Sequence, residues 1–415
     1  MLIAYRILIN LTFILSPIIL IFRLLKKKED PKRFVEKIGF FKKLKIKGNL
    51  IWFHGASVGE LQSIIPLLEK FEKNKKIKQI LITSNTLSSS KVIEKLKSKK
   101  VVHQFFPIDT NYIINKFINY WKPSKAFFID SEIWPNTVLK LKQKKIRTIL
   151  INGRITNKSY KRWKFFSKFA NKIFSNLDLC LASSKESFEY LKNLGVRNIK
   201  FIGNLKFSQS QKEKINIDKK LENFLQNKNI WCAASTHQNE EIVCGLAHIQ
   251  LKKKIKNLLT IIIPRHINRC TQIKKDLEKL NLVVHTIGSH SNLTKNTDIF
   301  LINSYGKTKI FFNNSEHVFL GGSLMKHGGQ NPLEPARLGC NILHGPYVNN
   351  FKEIYKFLEK NKISQKIQNQ NHLTKSLEKL FNKRMVTKKT QKKLKLIGKN
   401  ILEKSYNHLK LNYDF

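Results

Sequence analysis

The sequence predicts two open α/β domains in tandem, each built on a parallel, twisted sheet with helices on both faces. Three observations carry this expectation. The chain has 415 residues, too many for one comfortable core. From Asn49 onward, short apolar runs alternate with stretches of helical spacing, the pattern of βα units. The alternation then stops in a polar, lysine-rich stretch near Ser208–Lys220 and starts again.

In chain order, the first feature is an uncharged, mostly apolar run from Ile7 to Phe22, interrupted by Asn10, Thr12, Ser16 and Pro17. A spanning helix needs roughly 20 apolar residues, so this one is short. Spanning, lying in the interface and packing in a core all stay open. No small-residue cleavage site follows, which argues against a removed leader. Arg6 precedes the run, while Arg23 and Lys26-Lys27-Lys28 follow it. That bias predicts a single N-terminal anchor with the rest of the chain on the cytoplasmic side.

The expected strands of the first domain are Leu50–His54, Ile80–Thr83, Val101–Phe106, Ala126–Ile129, Thr148–Ile151, Leu179–Ala182 and Ile199–Ile202. Those of the second are Ile230–Ala234, Leu259–Ile263, Leu282–His285, Ile299–Ile302, Val318–Leu320 and Ile342–His344. Between the first two strands, Leu61, Ile64, Ile65, Leu68 and Phe71 recur at helical spacing. The expected boundaries are an anchor over 1–25, a first domain over 26–207, a linker over 208–225, a second domain over 226–370 and a helical tail over 371–415. Two such domains imply a cleft between them, with ligands beyond the carboxyl ends of the strands.

The formal net charge is +50. Lysines are spread over nearly every helical stretch, and no nucleic-acid motif accompanies them, so the charge reads as a solvated surface attractive to anionic lipids and phosphorylated ligands. No specific nucleic-acid partner is expected. The five cysteines, Cys180, Cys232, Cys244, Cys270 and Cys340, are odd in number and lack CxxC spacing. Neither a disulfide framework nor a zinc site is expected, and no other metal site or cofactor is read from the chain. His248 and His285 read as ordinary core or surface residues.

Four stretches at strand ends carry the chemistry. In His54-Gly55-Ala56-Ser57-Val58-Gly59-Glu60 a strand ends, a small-residue loop turns and a helix begins. Glu60 can serve as a general base there, or can merely complement the helix dipole. In Asp130-Ser131-Glu132-Ile133-Trp134-Pro135-Asn136, Pro135 suits a first helical turn. Asp130 reads as a cap and Glu132 as a functional carboxylate. In Pro264-Arg265-His266 an arginine at a strand end can fork onto a phosphate. The fourth stretch, Gly321-Gly322-Ser323-Leu324 and Gly328-Gly329-Gln330-Asn331-Pro332-Leu333-Glu334, places two glycine pairs in one strand–loop–helix unit. Asn331 is the expected N-cap and Pro332 the first helical residue, with free amides for a phosphate and Glu334 for ribose hydroxyls.

These stretches, with Asn152-Gly153-Arg154, Gly203-Asn204-Leu205-Lys206-Phe207 and Ser235-Thr236-His237, resemble in order and spacing the 3-deoxy-D-manno-octulosonic acid (Kdo) transferases of lipopolysaccharide synthesis. The match runs over nearly the whole chain. The resemblance implies a GT-B glycosyltransferase fold, two Rossmann-like domains facing a cleft, with an N-terminal membrane-anchor helix on the cytoplasmic face of the inner membrane. It implies inverting, metal-independent transfer of Kdo from CMP-Kdo to a lipid A precursor (lipid IVA), with membrane lipids as further partners. Glu60 is then the proton acceptor and Glu132 its support. CMP contacts fall on Pro264 and Arg265, on Tyr305, Gly306 and Lys307, and on Asn331, Pro332, Leu333 and Glu334. Two positions depart from the family: an acidic residue is common where this chain has Lys307, and an Asp near the place of Asn303. That loop is left with backbone contacts only. Gly153 stands where Ala is more frequent. The rival readings are another GT-B enzyme using a UDP-sugar and, more distantly, a basic nucleic-acid-binding protein.

Overall fold

The computed structural model describes residues 1–209, 217–286, 296–382 and 387–411. It divides into two compact units: one holds residues 1–210 and the chain from 397 onward, the other residues 211–396.

The first unit is a seven-stranded parallel sheet. Its strands are β1 (Leu50–His54), β2 (Gln79–Ser84), β3 (Val101–Phe105), β4 (Lys125–Ile129), β5 (Arg147–Gly153), β6 (Leu179–Ala182) and β7 (Ile199–Phe201). Their order is β3-β2-β1-β4-β5-β6-β7. The central strands β1, β2 and β4 are buried at every position, as a parallel sheet covered on both faces requires. Trp52 sits on one face with Phe117 and Phe128, ring centroids 4.9 and 5.4 Å away. Phe53 stacks on Phe127 at 4.5 Å on the other. Burying each such side chain contributes roughly 1.5–3 kcal/mol.

The second unit repeats the plan with β8 (Asn229–Thr236), β9 (Leu258–Pro264), β10 (Val284–Thr286), β11 (Ile299–Leu301), β12 (His317–Leu320), β13 (Asn341–His344) and β14 (Ser364–Lys366). The order is β10-β11-β9-β8-β12-β13-β14, again parallel throughout. Every expected strand is present, and β14 is additional. His248 is a core residue, as expected, held between Thr260 and Asp298 at 2.8 and 3.2 Å. In the first sheet the strand order reverses between β1 and β4; in the second it reverses between β8 and β12, and again at the outer edge, where β11 lies between β10 and β9. The β1–β4 and β8–β12 reversals mark the ligand-binding edges of doubly wound sheets.

The boundaries differ from those expected. Residues 210–216 of the expected linker lie outside the described residues; Ser208 and Gln209 belong to the first unit, and Lys219–Leu225 enters the second as a helix, with Leu225 buried. Nor is 371–415 a separate tail. Helix Gln370–Phe381 gives Leu373 and Leu377, one turn apart, to the second core. The final helix, Thr387–Leu411, returns Ile401 and Leu409 to the first.

The N-terminal helix, Leu2–Leu25, exceeds the expected apolar run at both ends. Its less exposed residues are Leu2, Tyr5, Arg6, Ile9, Phe13, Ser16, Leu20, Arg23 and Leu24, a stripe at helical spacing along its whole length. The first unit holds the stripe at both ends. Tyr5 donates to Asp109 at 2.7 Å and Arg6 to Asn136 at 3.0 Å. At the other end Arg23 pairs with buried Glu29 at 2.6 Å, and Lys37 closes on the same carboxylate at 2.7 Å. The opposite side is an apolar ridge, with Ile3, Ile14, Ile18 and Leu25 each at least 69% exposed.

Candidate functional site

The carboxyl ends of β1 and β4 build the first half of the site. Ser57 caps helix Val58–Glu72 by accepting the Glu60 amide at 3.3 Å. The Glu60 carboxylate reaches back, accepting the Ala56 amide at 2.7 Å and the Ser57 hydroxyl at 2.8 Å. This resembles a capping box displaced by one residue. It fixes the carboxylate within the first helical turn. Burial pushes the Glu60 carboxyl up to about 7; the Ser57 hydrogen bond opposes the rise, and the charges of Glu132 and Asp130 add to it. Glu60 thus lies in the first turn of the helix, where a carboxylate complements the dipole, and burial raises its pKa there.

Glu132 is held by a buried chain of polar contacts. Trp52 donates to the Thr83 hydroxyl at 2.8 Å, and Thr83 lies 2.9 Å from Nδ1 of His54. Nε2 of His54 lies 3.2 Å from Glu132, which also accepts Trp134 Nε1 at 3.0 Å. Assigning the His54 proton to Nε2 gives each polar hydrogen an acceptor: Thr83 donates to Nδ1, and Nε2 donates to the carboxylate. Glu132 is thereby oriented, and its charge helps to raise the Glu60 pKa.

Asp130 is not the helix cap expected. The helix Pro135–Gln143 has Trp134 at its N-cap, without a side-chain capping bond. Asp130 takes a left-handed backbone conformation, φ +56°, which Asp tolerates. It accepts from Asn152 and pairs with Lys206 at 3.0 Å. Asn152 in turn accepts the Leu205 amide at 2.8 Å. The stretches Asp130–Asn136, Asn152–Arg154 and Asn204–Lys206 are thus one assembly at the sheet edge. Asn152 and Lys206 were not foreseen as site residues, because their partner lies beyond any local pattern.

In the second unit, all the residues expected to contact CMP lie at the carboxyl end of the sheet. Arg265 is exposed just after β9, its amide bonded to the Thr236 carbonyl at 3.0 Å. Below it Arg269 forks onto buried Glu241 at 3.0 and 3.2 Å, fixing the Pro264–Arg269 turn. The rings of His237 and His327 stack at 4.2 Å, with His266 edge-on to His237 at 6.0 Å. Burial, and then the His327 charge, lower the His237 pKa. Tyr305 is 70% exposed, Gly306 turns at φ +82°, and Lys307 starts helix Thr308–Asn313, which packs on helix Leu333–Arg337.

One expectation about the glycine loops needs correction. The helix after them is Leu333–Arg337, with Pro332 rather than Asn331 at its N-cap position. Asn331 still caps, but by accepting the Leu333 amide at 3.1 Å, and Pro335 has no amide to give. This five-residue helix therefore offers few of the free amides that were expected. The amides of Gly321–Leu324 have a partner within the chain. Glu240, fully buried in the first turn of the helix after β8, accepts the amides of Gly322 at 2.7 Å, Ser323 at 3.1 Å, Leu324 at 3.0 Å and His237 at 2.9 Å. This amide cluster holds the protein's own carboxylate rather than a ligand phosphate. Glu240 joins the ends of β8 and β12, and no sequence signal named it. Glu240→Gln turns an N–H group onto amide donors. It is expected to cost roughly 1.5–3 kcal/mol in chemical denaturation and to weaken CMP binding in calorimetry.

Comparisons with known proteins bear on this geometry. A family model described as 3-deoxy-D-manno-octulosonic-acid transferase (kdotransferase) matches residues 32–209. The chain is 32% identical over 400 residues to the 3-deoxy-D-manno-octulosonic acid transferase of Rickettsia bellii, covering 94% of each. It is 29% identical over 363 residues to the protein of that name from Haemophilus influenzae, covering 84% of each. Among solved structures, the UDP-GlcNAc 2-epimerase of Neisseria meningitidis matches with a TM-score of 0.57 at 14% identity, over 85% of this chain and 98% of that one. That last likeness is one of fold.

Proposed function

The chain belongs to the Kdo transferase family of GT-B glycosyltransferases in lipopolysaccharide biosynthesis, and from that premise we propose that it moves Kdo from CMP-Kdo onto a lipid A precursor such as lipid IVA. The observation that carries the reading is Glu60: a carboxylate fixed at the strand-order reversal, with its pKa raised by burial to about 7.

Glu60 takes the proton of the acceptor hydroxyl as that oxygen attacks the anomeric carbon of Kdo. The bond from that carbon to the phosphate oxygen of CMP breaks in the same displacement, which inverts the centre and needs no metal. Glu132, gripped by His54 and Trp134, keeps a second negative charge near Glu60 and so favours its protonated form after the transfer. CMP lies against Pro264, Arg265, the Tyr305–Lys307 turn and Asn331–Glu334. Arg265 meets the phosphate and Glu334 the ribose. Helix Leu2–Leu25 lies along the cytoplasmic face of the inner membrane, with its apolar ridge in the lipid. Three features support that placement: the ridge, the buried-side stripe, and ties to one folded unit at both helix ends.

The test is to mix the purified full-length protein with lipid A precursor and CMP-Kdo generated in situ, and to follow acceptor mass. A gain of Kdo units is expected, as is thermal stabilisation by CMP and not by UDP. Stabilisation by UDP alone would transfer the protein to the UDP-sugar reading.

A further inference from the structure

A cavity of about 500 Å³ opens between the N-terminal helix and the segment after β5. Ala4 and Leu8 form one wall; Trp163, Phe166 and Phe169 form the other, and Arg162 stands at its edge. Its size falls within the roughly 300–1,000 Å³ of small-molecule sites, but its lining is almost wholly apolar. Leu8 is 65% exposed, and Phe165, beside the mouth, is 80% exposed. The opening therefore continues the apolar ridge of the helix. Around it, helix Asn157–Phe165 carries Lys158, Lys161, Arg162 and Lys164, all exposed. An apolar slot inside a cationic collar fits an amphiphile with an acyl chain and an anionic head.

The slot is also connected, through Asp109, to the helix that follows Glu132. Tyr5 lines it and donates to Asp109. Asp109 accepts the amides of Asn136 and Thr137, both at 2.9 Å, at the start of the helix that follows Glu132 and Trp134. Burial pushes the Asp109 carboxyl up to about 6, against the pull of those hydrogen bonds.

We propose that this cavity is an acyl-chain subsite: it takes one fatty-acyl chain of the phosphorylated glycolipid acceptor and so points the sugar toward Glu60. The assignment rests on the acceptor class proposed above.

Two measurements test it. In the first, a lipid A precursor carrying a diazirine in one acyl chain is irradiated with the full-length protein in phosphatidylethanolamine vesicles, without CMP-Kdo. Labelling is expected on residues 1–8 and 159–169, and excess unlabelled precursor is expected to chase it. Labelling confined to residues 11–25 would overturn the subsite. Equal chase by phosphatidylglycerol would assign the cavity to bulk lipid and overturn the acceptor claim. The second uses Ala4→Trp, which fills the slot from an exposed helix position. Its KM for the acylated acceptor is expected to rise about tenfold with kcat unchanged and the melting temperature unmoved, the mark of lost uniform binding. An unchanged KM would refute the subsite. If the parent protein transfers no Kdo at all, the acceptor reading itself fails, whereas the labelling pattern still reports on the cavity.

Discussion

Glu60→Gln is expected to fold normally and to lose transfer by roughly 10²–10⁴-fold, the usual contribution of a positioned general base. The pH dependence provides the sharper check. In the parent protein, kcat/KM should rise with pH through about 7, where Glu60 gives up its proton. The residual activity of the glutamine variant should be flat over that window. Stability should move the other way. A carboxyl raised from 4.5 to about 7 on folding holds its proton more tightly in the folded state. That contribution is complete below pH 4.5 and is lost as pH rises through about 7. Glutamine does not ionise, so the variant should melt no lower than the parent at pH 8. A variant that keeps more than a tenth of the parent rate would remove Glu60 from the role.

Gly321→Ala is the second large effect, and it acts through space alone. A Cβ at Gly321 would lie 2.6 Å from the Ser235 carbonyl oxygen, 2.6 Å from the Thr236 Cα and 2.7 Å from the Glu240 carboxylate. Two of those neighbours are backbone, and Ser235 is already held at φ +57°. Overpacking costs roughly 1–3 kcal/mol where side chains can yield, and more where they cannot. A loss above roughly 3 kcal/mol is expected, together with loss of CMP stabilisation in a thermal melt. A variant that melts and binds CMP like the parent would show that the β8–β12 contact is looser than its geometry.

Much of this was legible in the chain because the alternation of apolar runs is a local property. Each central strand is buried on both faces, so Leu50–His54 and Leu179–Ala182 appear in the sequence with their observed bounds. β14 was missed for the same reason: at the sheet edge Ser364-Gln365-Lys366 has two exposed residues and needs no apolar run. The functional stretches were visible as glycine and carboxylate clusters at strand ends. Their wiring was not. Glu240 meets amides 82–84 positions away, and Lys206 meets Asp130 across 76. Such partners are set by strand order, which hydrophobic periodicity does not encode. Tyr5 and Arg6 stood in plain view as polar residues beside an apolar run, yet only the fold supplies Asp109 and Asn136 to receive them.

The tying of helix Leu2–Leu25 along its length has a kinetic consequence. An enzyme on a flexible tether samples a volume set by its linker, and its reaction rate follows the local concentration within that volume. A helix fastened at Tyr5 and at Arg23 leaves no such linker. With its ridge in a bilayer, as proposed, the first unit would have one height and one face toward the lipid. On the placement and acceptor proposed above, it would meet that acceptor by lateral diffusion in the plane. The variable that governs turnover is then the number of acceptor molecules per unit area of membrane. Diluting the same vesicles in buffer should leave the rate per enzyme unchanged, while diluting the acceptor with inert lipid should lower it.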